Sequence, residues 1–192
     1  MKKILTTVFA LFLSTVLINA QGIEFGLKGG FGASAVGTQD VVLPSQEGKA
    51  GIVAGGLMNI DLLLIDLRAE LLYTQKGFAF EEAGNTIDAS LTYLSVPVLA
   101  RFNIFPVLVK PYIGAGIEYS TLLDVGSDFD KDDFSSSDFS LVANAGVDFA
   151  LEVIKLEADL RYVYGLTNII ADPIGDAKIT NNSLQLTVGI IF

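Results

Sequence analysis

Glu157 and Asp159 are the residues of this chain whose types and spacing best suit acid–base chemistry. Two carboxyl groups on one face of a strand can divide the roles of proton donor and acceptor. Their surroundings point to a different use. Arg68, Lys110 and Arg161 are expected beside them, and nearby cations hold carboxylates in the ionised, paired state. The chain contains no histidine, which excludes Ser-His-Asp and Cys-His catalysis and removes the commonest general base and zinc ligand. The expectation is an interior ion-pair network in a protein that is not an enzyme, with no catalytic residue and no cofactor.

A second candidate lies in the loop from Asp124 to Asp138. Asp128, Asp130 and Asp132 have the 1-3-5 spacing of a calcium loop. Position 6 is Asp133 rather than Gly and position 12 is Phe139 rather than Glu, so the EF-hand pattern fails. Two expectations stand: a weak divalent-cation site at Asp128, Asp130 and Asp132, or a solvated acidic loop with Phe129, Phe134 and Phe139 near a membrane rim.

The elements that position these residues are strands. Between Lys155 and Tyr164, one face carries Leu156, Ala158, Leu160, Tyr162 and Tyr164, and the other Lys155, Glu157, Asp159 and Arg161. Alternation with period 2 is the mark of a β-strand, whose successive side chains point to opposite faces. The pattern recurs in eight segments, near 22–34, 49–60, 64–77, 91–104, 108–121, 138–152, 155–165 and 182–192. Tight turns at 61–63, 105–107 and 153–154 alternate with long polar connections at 35–48, 78–90, 122–137 and 166–181. That layout predicts an all-β fold: an eight-stranded antiparallel up-and-down transmembrane β-barrel with short periplasmic turns and long outer loops.

One set of residues is expected to face outward, among them Phe25, Leu27, Ile52, Leu71, Val98, Ile113, Leu141, Leu186 and Phe192. The inward set is Glu24, Lys28, Arg68, Glu70, Arg101, Lys110, Glu118, Asp148, Glu157, Asp159 and Arg161. No charge falls in the outward set, as lipid demands, since Arg or Lys at the midplane costs ~2–4 kcal/mol. Inward glycines, including Gly114 and Gly146, leave room for long side chains from facing walls. Pro97 and Pro111 each remove a ladder donor and are expected at bulges or strand ends.

Residues 1–20 read as a signal peptide: Lys2 and Lys3, an uncharged stretch from Ile4 to Ile18, and Asn19-Ala20 before Gln21. Residues 21–192 then form a single barrel domain. Two of the 12 basic residues and none of the 22 acidic ones lie in the leader, so the mature chain has 12 more acids than bases. That balance argues against nucleic acid as a partner. Mean hydropathy is high, +0.54, yet the mature region has no apolar run long enough for a spanning helix. A closed barrel is the remaining way to satisfy every backbone group in lipid.

Gly26 to Gly32, Tyr93 to Phe102 and Val109 to Ile117 resemble the PorT-like outer-membrane β-barrel family. The family often has Glu where this chain has Ser95, and a base where it has Ala100, with Arg101 adjacent. The resemblance implies an eight-stranded barrel in the bacterial outer membrane, and one branch of the family serves protein secretion. The terminal strand Ser183 to Phe192 looks like the segment read by the barrel-assembly machinery. The expected partners are outer-membrane lipid, that machinery during biogenesis, and an unidentified surface or periplasmic protein, with the chain itself a monomer. The rival architecture is a secreted, soluble lipocalin-like barrel binding an apolar ligand, which would place the aliphatic face inside.

Overall fold

The computed structural model describes residues 22–39, 46–62, 65–82, 85–104, 109–126, 131, 134–170 and 178–192. Residues 1–20, read as a signal peptide, lie outside them. Eight strands follow in order: β1 (Ile23–Gln39), β2 (Gln46–Asp61), β3 (Ile65–Glu82), β4 (Asn85–Asn103), β5 (Val109–Gly126), β6 (Ser137–Ala150), β7 (Lys155–Gly165) and β8 (Lys178–Ile191). Each pairs antiparallel with its sequence neighbour, and β8 pairs with β1 to close the barrel. Closure leaves no sheet edge within the wall.

The period-2 pattern decides which face is which. Leu160 and Tyr162 are 50% and 47% exposed on the outside, whereas Arg161 between them is 1% exposed. The same parity holds on β3, where Asp66, Arg68, Glu70, Leu72, Thr74 and Lys76 are all buried. Large apolar residues cover the outside, with Phe25, Phe102, Phe149 and Phe192 near the short turns and Tyr73, Tyr119, Tyr162 and Tyr164 nearer the long connections. These aromatic residues flank an aliphatic band as in outer-membrane barrels. The lipocalin arrangement is not favoured, because the aliphatic face is outside and the charges are inside.

Two sequence expectations need correction. The segment 78–90 is mostly strand: β3 and β4 stay paired from Gly77↔Ser90 to Glu82↔Asn85. Its polar and small residues look like a loop, but above the membrane a ladder already in register needs no apolar face to continue. Pro97 is neither at a bulge nor at a strand end. The β3–β4 ladder is interrupted between Ala69↔Val98 and Leu72↔Ser95 while the register stays the same on both sides. Pro97 falls in that gap and keeps its place opposite Glu118 of β5, so the missing donor costs local pairing with one neighbour only. Pro111 stands near the start of β5, as expected.

Candidate functional site in the lumen

Inward parity on five strands brings together residues far apart in sequence. Glu157 of β7 accepts from Arg68 of β3, from Arg101 of β4 (3.0 Å) and from Lys28 of β1 (3.3 Å). Arg161 grips Glu70 with both terminal nitrogens, at 2.7 and 2.9 Å, and its Nε lies 3.4 Å from Asp159. Lys28 also reaches Glu70 at 3.3 Å and Asp159 at 3.5 Å. Arg101 donates to Asp148 at 2.7 Å. The planar guanidinium fork makes such shared and two-point contacts possible.

Neutral side chains complete this centre. The Tyr112 hydroxyl donates to Asp159 at 2.7 Å, and Asn144 Nδ2 donates to the same oxygen at 2.6 Å. The Arg101 guanidinium lies over the Tyr112 ring, 3.5 Å from its centroid. Arg68 Nε donates to Asn59 at 2.8 Å. Two glycines create the space. A Cβ at Gly146 would stand 2.5 Å from Tyr112 Cζ, and one at Gly114 would stand 3.0 Å from Arg101 Cγ. The nearest atoms are closer still, the Ala158 carbonyl oxygen and the Tyr112 hydroxyl at Gly146 and Asn144 Oδ1 at Gly114, so a larger residue would displace Tyr112 or Asn144 from its bond to Asp159.

Above this centre sits an apolar layer of Leu99, Val142 and Val163. Beyond it, Lys76 Nζ lies 3.3 Å from Glu118, Ser120 donates to Glu118 at 3.2 Å, and Ser95 shares a 2.8 Å hydrogen bond with Ser120. The mouth on the long-connection side is closed by Leu91, Tyr93, Leu122 and Phe134. Two segments hold that closure. Phe134 bridges to Ile170, Ser135 N donates to Ile169 O at 2.9 Å, and Ser135 Oγ donates to Asn168 O at 2.8 Å. Thr167 bonds to Asp138 and accepts from Phe139 N at 2.9 Å.

The expected inward residues Lys28, Arg68, Glu70, Arg101, Glu118, Asp148, Glu157, Asp159 and Arg161 are all buried. Glu24 and Lys155 pair with each other, half-buried. Lys110 departs from expectation: it stands opposite Asp148 in register, yet forms no ion pair among the described residues. Arg101 already holds the Asp148 carboxylate, and a lysine near a strand end can extend towards the water interface. Phe134 was expected at the membrane rim; instead it is buried at the mouth, 5% exposed. Phe139 does point outward. Asp128, Asp130, Asp132 and Phe129 lie outside the described residues. Lys76, Asp138 and Tyr112 were not singled out from the sequence, although each shares the inward parity of its strand.

A closed antiparallel barrel with an aliphatic exterior, aromatic bands and a charged, packed interior is the architecture of a small outer-membrane barrel. Residues 19–171 match the outer membrane protein beta-barrel domain, and the chain belongs to that family. The protein is therefore a bacterial outer-membrane barrel. Among solved structures, Neisserial surface protein A aligns with a TM-score of 0.57 and 18% identity, over 89% of this chain and 98% of that one. Ail of Yersinia pestis, in complex with the heparin analogue sucrose octasulfate, aligns with a TM-score of 0.47 and 20% identity, over 90% and 100% of the two chains. The N-terminal barrel of Pseudomonas aeruginosa OprF aligns with a TM-score of 0.47 and 15% identity, over 88% and 97%. At such identities the likeness is one of fold. No curated protein matches the sequence.

Proposed function

We propose that this protein is a closed barrel with a structural or surface-interaction role, neither a pore nor an enzyme. One observation carries the reading: the lumen cross-section is filled by hydrogen-bonded charges, with a second, apolar closure at the mouth. Eight strands enclose an interior just wide enough for side chains to fill. A carboxylate held by three cations, as Glu157 and Glu70 each are, is engaged in structure and not poised for proton transfer. The partners we infer are surrounding lipid, the barrel-assembly machinery during biogenesis, and a surface or periplasmic protein. The resemblance to PorT-like proteins at Tyr93–Phe102 and Val109–Ile117 extends this to an accessory part in secretion by a monomeric barrel.

Reconstitution in planar bilayers tests the closed-lumen reading. The expected result is no stable, large conductance. A reproducible porin-like conductance would reject it.

A further inference from the structure

The apolar exterior does not stop where the strands turn. On β6 the outward residues run from Phe139, opposite Tyr119, to Phe149, opposite Leu156. With a rise of about 3.3–3.4 Å per residue and a tilt of ~35–45°, the stretch between those two phenylalanines covers about 25 Å, the height of the apolar band in outer-membrane barrels. That band is complete without the residues that follow. Leu151 and Val153 lie beyond Phe149, Ile104 lies beyond Phe102, and Leu62 lies beyond the end of β2. All four are exposed, and Val153, at 85%, is the most exposed large apolar residue described.

Turn chemistry does not ask for them. Leu62 N donates to Ile65 O at 3.0 Å and Leu151 N to Ile154 O at 2.9 Å, so only two residues separate the paired ends of each hairpin. Connections that short favour Asn, Asp and Gly, whereas Val153 is β-branched. Aliphatic residues at all three short turns, past the hydrocarbon, form an exposed apolar rim of the kind that marks an interaction surface.

The charges beside the rim and the direction it faces say what covers it. Asp61 and Glu152 are exposed there, whereas Lys155 is held by Glu24 and Lys110 is half-buried on the inner face. Anionic lipid headgroups attract basic segments, so exposed acids favour a basic protein surface over the headgroup layer. A second copy in the same membrane would carry its rim beside this one, not against it. We propose that the short-turn rim at Leu62, Ile104, Leu151 and Val153 docks a periplasmic protein that presents an apolar surface bordered by basic residues. The proposal deepens the periplasmic partner inferred above and rests on the short turns facing the periplasm.

The chain has no cysteine, so Val153→Cys supplies a single thiol at the rim. In vesicles of the purified barrel, a nitroxide on that thiol should be relaxed strongly by a water-soluble nickel chelate present on both sides. Dominant relaxation by oxygen would seat the rim in lipid and overturn the proposal. In native outer membranes opened to reagent on both faces, a water-soluble maleimide should react with the thiol about tenfold more slowly than in the vesicles, the factor for a partner at about ten times its Kd. Rates are taken relative to Ser136→Cys at the opposite mouth, where the side chain is exposed. The rate should recover once an alkaline wash has stripped peripheral proteins and neutral pH is restored. Adding Glu152→Lys should speed the reaction severalfold in unwashed membranes, and unchanged protection there would overturn the basic counterpart. Equal rates in membranes and vesicles, or protection that survives the wash, would overturn the docking surface. Fast labelling of Val153→Cys on intact cells would overturn it together with the orientation, while the closed-lumen reading is tested separately by bilayer conductance.

Discussion

Replacing Arg161 by alanine removes the guanidinium that grips Glu70 at 2.7 and 2.9 Å and neighbours Asp159 at 3.4 Å, at a position 1% exposed. Breaking one partner of a buried pair costs ~3–5 kcal/mol, because the other charge stays behind unpaired. Here that cost is softened. Glu70 would keep Lys28 at 3.3 Å and Arg68 at 3.7 Å, and Asp159 would keep Lys28, Tyr112 and Asn144. The expected loss is therefore at the low end, about 3 kcal/mol. Lys131→Ala is the control: Lys131 is exposed and, among the described residues, donates to the Leu123 carbonyl at 3.0 Å, so its loss should cost no more than ~1 kcal/mol. The difference of ~2 kcal/mol corresponds to roughly thirtyfold in the folding equilibrium. The chain has no tryptophan, so urea unfolding in lipid or detergent is best followed by circular dichroism or by heat-dependent gel mobility. A shift in midpoint at unchanged slope reads out stability. If the two variants lose equal, negligible stability, then Arg161 is not in a desolvated pair and the lumen described above is wrong.

Two further outcomes follow from the same geometry. Gly146→Ala should destabilise the barrel by ~1–3 kcal/mol, the usual range for overpacking, because the new Cβ meets both the Tyr112 side chain and the Ala158 carbonyl oxygen; the same urea titration measures it, and combining it with Tyr112→Leu should recover only the part of the loss that the tyrosine causes. Long connections are expected to face the cell exterior, so a protease-sensitive tag near Ser136 should be cleaved on intact cells and one near Ile154 protected, and the reverse pattern would invert the orientation.

The faces of the strands were legible in the sequence because lipid leaves no freedom there: a one-residue slip would put a whole charged face into hydrocarbon. Local alternation put Glu157 and Arg161 on one face together, and the high hydropathy with the alternating loop lengths placed that face inward. Their partners were not legible. Arg68–Glu157 and Arg161–Glu70 join residues 89 and 91 positions apart, and no local pattern encodes which cation meets which carboxylate across a lumen. Lys76 and Asp138 lie inside the expected strands 64–77 and 138–152 and share their inward parity, but each stands at a strand end beside a segment read as a loop, where inward parity carries less weight. The apolar residues inside the barrel were hidden for the opposite reason. Leu99, Val142 and Phe134 resemble lipid-facing residues in type, and only the closed three-dimensional arrangement shows that they fill the lumen or its mouth.

The central claim is that the aliphatic face meets lipid and the charged face fills the lumen. The native chain has no cysteine, so a single Leu160→Cys variant can carry a nitroxide spin label without further changes. In reconstituted vesicles, power saturation should show strong relaxation by oxygen and little by a water-soluble nickel chelate, as for a label in hydrocarbon. Strong relaxation by the nickel chelate instead would put Leu160 in water and contradict the account.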